Sequence, residues 1–285
     1  MQEKTKDTFG FKWENFPIVG EDRPALAKGE DRIERNGWTI DEFEEWINGK
    51  RVLDAGCGMG WYTNFLSEYD PDGEVYGVDI ARKAINKGVK LGNGHLLIGS
   101  ITDLPFSDET FDYIACEEVI HHTPEPELTL KHLVTKLKPG GTYTMYIYKE
   151  KPLLREMADT TIRELTTEMS IQECMVFSRQ MTELGKALYE VDETIEVPDI
   201  PTLDVEGGEY SIHEFVYRHF LKCYYDWETE SEGVSTPTNF DWYHPEYAYR
   251  YSKEEVQNMA LDVGLKIEHF NELMSGYSVR AKKPN

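Results

Sequence analysis

Residues 52–60 read Val-Leu-Asp-Ala-Gly-Cys-Gly-Met-Gly. Two branched apolar residues run into an acid, and then every second residue is glycine. A buried strand that breaks into such a turn lets backbone amides approach a ligand closely, because no Cβ stands in the way. Helix-forming residues follow from Trp61 to Tyr69, so the turn opens onto a helix N-terminus, a place that favours a polar or anionic group. The Gly56, Gly58, Gly60 spacing differs from the Gly-x-Gly-x-x-Gly of dinucleotide sites. On the loop alone, a nicotinamide or flavin site and a generic glycine turn both stay open.

The residues around the loop alternate in type. Strands are predicted over Arg51–Asp54, Glu74–Asp79, His95–Gly99, Phe111–Cys116 and Gly141–Tyr148, with helices over Trp61–Tyr69, Ala81–Leu91 and Leu128–Leu137. This order predicts an α/β fold, a Rossmann-like doubly wound sheet over 51–150 whose ligands bind beyond the carboxyl ends of the strands. Upstream, Thr39-Ile-Asp-Glu42 is a capping box and predicts a helix over Ile40–Ile47. Residues 1–50 thus form a helical extension with an aromatic opening, Phe9 to Phe16. Downstream, Leu154, Met157, Thr161/Ile162, Leu165 and Met169 fall at helical spacing. From 183 to 214 there are ten acids and one basic residue, Lys186, which predicts an exposed, irregular stretch. A second capping box, Ser252 to Glu255, starts a helix that Gly264 stops, and Leu265–Phe270 and Tyr277–Ala281 are the last strands.

Composition narrows the function classes. The 285 residues suit one large α/β domain with a sizeable insertion. There are 53 acids against 30 Lys and Arg, a net charge of −23. Such a surface repels phosphate backbones, so nucleic acid is not an expected partner, although salt adaptation explains the acidity equally well. No apolar run approaches the ~18 residues a membrane span needs, and the N-terminus has no apolar signal core, so the expected compartment is the cytoplasm. Cys57, Cys116, Cys174 and Cys223 are widely spaced and read as small, reduced thiols.

Val52–Gly60 resembles the cofactor loop of the class I S-adenosylmethionine-dependent methyltransferases, in which a hydrophobic residue is followed by Leu-Asp-x-Gly-Cys-Gly-x-Gly. The final helix and two strands resemble the way that family completes a seven-stranded sheet, its last strand antiparallel. The resemblance covers about 51–150 and 251–283. It implies S-adenosylmethionine as cofactor and S-adenosylhomocysteine as product, held by Asp54, Gly56, Cys57, Gly58, Gly60, Asp79, Ile80, Ser100, Ile101, Thr102 and Glu117. Asp79 ends the second strand, where a carboxylate accepts both ribose hydroxyls. Asp54 would hold the loop amides or meet the methionine ammonium. Gly99 to Phe106 resembles the segment that wraps the adenine. Ser100 stands where many members have an acid, which leaves the backbone of Ile101, or Thr102 or Asp103, to serve.

Phe111 to Pro124 resembles the fourth strand and following loop of the family's small-molecule branch, and Leu137–Gly141 the run into strand five. This places His121 and His122 where the loop faces the methyl group, and a neutral imidazole can take a proton from a nucleophile. Loop packing is the other reading of both. A Glu117/His121 or Glu118/His122 pair lacks a third ligand, so no metal is expected. The Asn/Asp-Pro-Pro-aromatic tetrad of base-methylating members is absent, since Cys116-Glu-Glu-Val stands there. Residues 238–251 are dense in aromatics and carry one arginine. Trp242, Tyr243, Tyr247 and Arg250, with Trp13, are the candidate substrate contacts, Arg250 for an anionic group, and an aromatic lid packed on the core is the alternative. Residues 151–250 are expected to form a helical and irregular cap over the sheet's carboxyl edge. The expected reaction is transfer of a methyl group to an O, N or S nucleophile of a small metabolite by in-line displacement. A methyltransferase acting on protein or tRNA, and a non-catalytic cofactor-binding protein, remain open.

Overall fold

Short β-branched and aromatic runs alternate with amphipathic ones, and the chain answers with a sheet sandwiched by helices. The computed structural model describes residues 3–16, 25–70, 73–92, 94–226, 228 and 230–285. They divide into two compact units, Met1–Lys149 with Tyr247–Asn285, and Glu150–Glu246.

In the first unit, α1 (Glu3–Asn15), α2 (Ala25–Arg35) and α3 (Ile40–Ile47) precede the sheet. The core then runs β1 (Arg51–Ala55), α4 (Trp61–Tyr69), β2 (Glu74–Asp79), α5 (Arg82–Leu91), β3 (His95–Ile98), β4 (Phe111–Glu117), a 3₁₀ turn Ile120–His122, α6 (Pro126–Lys136) and β5 (Leu137–Tyr148). The second unit holds α7 (Leu153–Thr166), α8 (Ile171–Tyr189), the hairpin β6 (Thr194–Val197) and β7 (Gly208–Ser211), α9 (Ile212–His219) and α10 (Glu232–Tyr243). The first unit is completed by α11 (Lys253–Asp262), β8 (Lys266–Glu272) and β9 (Gly276–Lys282).

The strand order is β3-β2-β1-β4-β5-β9-β8. Strands β1 to β5 are parallel, and β9 lies antiparallel between β5 and β8. Two apolar layers cover the faces. One joins Leu53, Ile114, Met145 and Val279 to α6 and α11 through Leu133 and Met259. The other joins Val52, Val75 and Tyr113 to Ile33, Phe43 and Phe65 of α2, α3 and α4. The predicted capping boxes Thr39/Glu42 and Ser252/Glu255 both form, and Ser170/Glu173 adds a third at the start of α8.

The second unit departs from the sequence reading in two places. Helix α7 exists, but its apolar positions do not mark its buried face. Of those positions Met157 and Leu165 are exposed and Leu154, Ile162 and Met169 only half-buried, whereas Arg155, Asp159, Arg163 and Thr166 are buried. Those polar heads have partners inside: Asp159 takes Arg155 Nε at 3.1 Å, Arg163 donates to the Pro245 carbonyl at 2.7 Å, and Thr166 to that of Tyr243 at 2.8 Å. The acidic 183–214 stretch is also more regular than its composition suggests. It holds the end of α8, the β6–β7 hairpin and the start of α9, and Val197, Val205 and Tyr210 form a small apolar cluster there.

Gly88 shows how closely α5 is seated. Ala in place of Gly inside a helix normally stabilises by about 1 kcal/mol. Here an added Cβ would stand 2.0 Å from the Met59 carbonyl oxygen and 2.6 Å from Leu96 Cδ1. Overpacking of this kind costs about 1–3 kcal/mol, so the clash outweighs the propensity gain. Gly88→Ala should lower the urea midpoint of the protein; a raised midpoint would show that α5 has room to move.

Candidate active site at the carboxyl ends of β1, β2 and β4

Three buried carboxylates stand at neighbouring strand ends: Asp54 on β1, Asp79 on β2 and Glu117 on β4. The glycine turn lies beside them. Gly56, Gly58 and Gly60 have φ of +87°, +56° and +81°, in the left-handed region that penalises a Cβ. The surroundings forbid side chains as well. A Cβ on Gly56 would meet Val119 at 2.4 Å, and one on Gly58 the Trp13 ring at 2.8 Å. The N–H groups of Gly56 and Cys57 donate to the Val78 carbonyl, which ties the turn to β2. Gly60 caps α4 without a side-chain acceptor.

Asp79 closes the turn. Its Oδ2 accepts from Gly58 N at 2.9 Å and its Oδ1 from Ala81 N at 2.7 Å. The resemblance implies ribose contacts here, and the structure adds a backbone task that the sequence did not reveal. Asp54 accepts from Thr63 Oγ1 at 2.7 Å, one turn into α4. Burial pushes the Asp54 carboxyl up to about 6, against the Thr63 hydrogen bond, and raises that of Asp79 too. Among the described residues neither forms an ion pair. Burial also raises the Cys57 thiol well above its usual range, which leaves it inert.

Glu117 is engaged differently. It pairs with Arg35 at 2.7 Å and accepts from Asn36 Nδ2 at 3.1 Å. Glu118, at φ +67°, faces Arg35 at 3.4 Å and Arg32 at 3.8 Å. Burial works against the Arg35 charge, but the two glutamates outweigh it and raise its pKa. Arg32 also lies over the rings of Trp61 and Tyr62, and Arg35 over Tyr146. Glu117 therefore anchors the end of α2 to β4. Sequence reasoning missed Arg32, Arg35 and Asn36, because their partners lie more than eighty positions away. Thr63 was missed too.

Ser100 Oγ lies 2.8 Å from Thr102 Oγ1 and accepts from Thr102 N at 3.2 Å, and Ile101 is buried between them. Ile80 is half-buried after Asp79. Trp13 packs on Gly58 beside Met59, Ala81 and Ala84, so α1 lies against the glycine turn rather than apart from it. Lys87 Nζ donates to the Trp13 carbonyl at 3.0 Å.

His121 and His122 are both buried on the 3₁₀ turn. The His121 ring stacks on Tyr148 at 3.8 Å between centroids, and His122 meets Phe9 edge-on at 5.0 Å. His122 Nδ1 lies 2.6 Å from the Tyr247 carbonyl oxygen. A carbonyl only accepts, so Nδ1 carries the proton and Nε2 carries the lone pair of the neutral ring. Tyr247 stacks on Tyr249, and Arg250 NH1 donates to the Ala248 carbonyl at 3.2 Å. Trp242 and Tyr243 belong to the second unit, where both are buried and Tyr243 Oη donates to the Lys222 carbonyl at 2.8 Å.

Comparison with known proteins agrees with this core. Residues 53–145 match the family described as methyltransferase domain. A demethylmenaquinone methyltransferase of Geobacillus sp. is 35% identical over 100 residues, 33% of this chain and 43% of that protein. A tRNA U34 carboxymethyltransferase of Campylobacter curvus is 30% identical over 168 residues, 50% of this chain and 56% of that protein. The chain thus spans between about a quarter and just over half of the length of the curated relatives it matches. The crystal structure of Burkholderia thailandensis 1,6-didemethyltoxoflavin-N1-methyltransferase, with bound 1,6-didemethyltoxoflavin and S-adenosylhomocysteine, superposes with a TM-score of 0.53 at 10% identity, over 100% of this chain and 89% of that one. It shares the fold.

The raised Asp54 carboxyl has a measurable consequence. Its folded value of about 6 lies above its ordinary 3.8, so its contribution to stability is full below pH 4 and is lost as pH rises through 6. Two pKa units correspond to roughly 3 kcal/mol. Asp54→Asn keeps an acceptor for Thr63 and removes the titration. Urea unfolding from pH 4 to 8 should show the variant gaining on the parent protein by up to about 3 kcal/mol as pH rises. A difference constant with pH would show that Asp54 titrates normally.

Proposed function

We propose that this chain, which carries a class I S-adenosylmethionine-dependent methyltransferase domain, binds S-adenosylmethionine at the 54–60 turn and transfers its methyl group to an O, N or S nucleophile of a small metabolite. The observation that carries the reading is the pair Asp54 and Asp79, buried at adjacent strand ends around a glycine turn and, among the described residues, in no ion pair. A ligand with hydroxyls and a positive charge supplies what these carboxylates lack. When bound, the cofactor provides a methyl group already made electrophilic by its sulfonium. The protein then has to hold, align and exclude water.

Each of those tasks has candidate residues. Asp79 fixes the turn and offers its remaining lone pairs to ribose hydroxyls. Asp54 faces the methionine ammonium, with Gly58 and Gly60 keeping the approach open. Ser100, Ile101 and Thr102 border the adenine, and Trp13 shields the turn from water. His122 Nε2 is the base when the acceptor needs deprotonation, its ring oriented by the Tyr247 carbonyl. His121, stacked on Tyr148, supports it. Tyr247 and Arg250 remain the candidate acceptor contacts in the same unit.

The small-molecule reading is supported by the Geobacillus relative and by the net charge of −23, which opposes nucleic acid. A tRNA acceptor is the second reading, supported by the Campylobacter relative, a tRNA U34 carboxymethyltransferase. Mass spectrometry separates the two: metabolite pools and bulk tRNA are each incubated with protein and cofactor, and the fraction that gains one methyl is identified.

Two variants test the assignment of roles. Asp79→Ala should weaken S-adenosylhomocysteine binding by about 1.5–3 kcal/mol in titration calorimetry, the scale of charge-assisted hydrogen bonds. Unchanged affinity would remove Asp79 from the site. His122→Ala should lower kcat by about 10²–10⁴ with cofactor affinity kept, since general-base catalysis is worth that much. A wild-type kcat on the identified acceptor would return His122 to a packing role.

A further inference from the structure

The cofactor reading leaves one charge of the ligand without a counterpart. S-adenosylmethionine and S-adenosylhomocysteine end in an amino acid, with an ammonium and a carboxylate on one carbon. Asp54 faces the ammonium. The charged residues assigned to the cofactor are Asp54, Asp79 and Glu117, all of them buried carboxylates. A ligand carboxylate brought among them needs a cation, because a buried anion without a partner is costly.

Two arginines stand at the end of α2, and they are used differently. Arg35 donates from Nη2 to Glu117 at 2.7 Å and from Nη1 and Nη2 to Glu118 at 3.4 Å. Arg32 donates no side-chain hydrogen bond among the described residues, and its contact with Glu118 is an ion pair at 3.8 Å, beyond hydrogen-bond length. Its guanidinium lies 4.4 and 4.8 Å from the ring centroids of Trp61 and Tyr62, the first two residues of α4, directly after the glycine turn. Stacking on the rings holds the fork without using its five N–H donors. The Arg32 side chain is 13% exposed and that of Glu118 beside it 47%, so this corner is open to solvent.

Two further features favour an anion there. The N-cap of α4, Gly60, has no side-chain acceptor, so that end of the helix keeps a positive dipole that suits an anion and not a cation. The Arg32 charge also reaches Asp54: burial raises that carboxyl most, and the Thr63 hydrogen bond and then Arg32 oppose the rise. A cation within electrostatic range of Asp54 matches a ligand whose opposite charges sit on one carbon.

We propose that Arg32 binds the carboxylate at the amino-acid end of the cofactor while Asp54 takes its ammonium, so that α2 selects ligands carrying both charges. This rests on the cofactor reading given above. The guanidinium fork presents two parallel donors to the two carboxylate oxygens. Arg35, committed to Glu117 and Glu118, is not interchangeable with it.

The test compares S-adenosylhomocysteine with its decarboxylated analogue, which keeps the nucleoside, the thioether and the ammonium, by calorimetry on the full chain. The parent protein should bind the analogue about tenfold or more weakly, the scale of hydrogen bonds to a charged group. Arg32→Met should weaken S-adenosylhomocysteine by a similar factor and leave the analogue within about twofold, as a cycle through one contact requires. Glu118→Gln removes the carboxylate that Arg32 faces and should bind S-adenosylhomocysteine no more weakly than the parent. If Arg32 serves only to hold Glu118, Glu118→Gln reproduces the loss or Arg32→Met weakens both ligands alike, and either result overturns the proposal. Discrimination kept in Arg32→Met and lost in Lys12→Met, the cation over the Trp13 ring, overturns it as well. Equal affinity of the parent for the two ligands does so whether or not Arg32→Met folds. A parent protein that binds neither ligand overturns the cofactor reading too.

Discussion

The first unit is organised by buried carboxylates at its strand ends, of which Asp54 and Asp79 form no ion pair among the described residues. Asp54 and Asp79 end adjacent parallel strands, β1 and β2, where the backbone breaks into a turn that only glycine can make. Each is held by short hydrogen bonds, Thr63 on one and the Gly58 and Ala81 amides on the other. Those bonds satisfy geometry without supplying charge, and burial accordingly drives both carboxyls up. A folded chain tolerates this where a ligand compensates, which is why shifted groups gather at functional sites.

Glu117 shows the contrasting solution. Arg35 and Asn36 satisfy it from within, and that contact fixes the end of α2 to the sheet. The same N-terminal extension brings Trp13 onto Gly58 and Phe9 onto His122. Helix α1 therefore packs against the glycine turn and the 3₁₀ turn. Its aromatic opening was the visible signal, but what it packs on was not.

The core elements were legible because their signals are local. The β1–turn–α4 run, the capping boxes at Thr39 and Ser252, and the Gly264 stop each depend on residues within a few positions. Helix α7 shows the limit. Its 3.6-residue period was readable, but its buried face was set by distant partners: the carbonyls of Trp242, Tyr243 and Pro245 accept from Arg163 and Thr166. Apolar periodicity cannot report such partners. The same holds at the site, where the glycines and Asp79 were readable, but the Glu117–Arg35 pairing, the Thr63 bond and the tautomer fixed on His122 by Tyr247 were not.

The most direct test of the central claim is the proton count on cofactor binding. If the methionine ammonium meets Asp54, binding lowers a carboxyl that stands at about 6 in the free protein. S-adenosylmethionine should then displace about half a proton at pH 6 and almost none at pH 7, below the range in which its own amino group titrates, read from calorimetry in buffers of different ionisation enthalpy. Asp54→Asn should abolish the release. Tight binding with no proton displaced at pH 6 would contradict the placement of the ammonium against Asp54, and with it the account of why these carboxylates are buried.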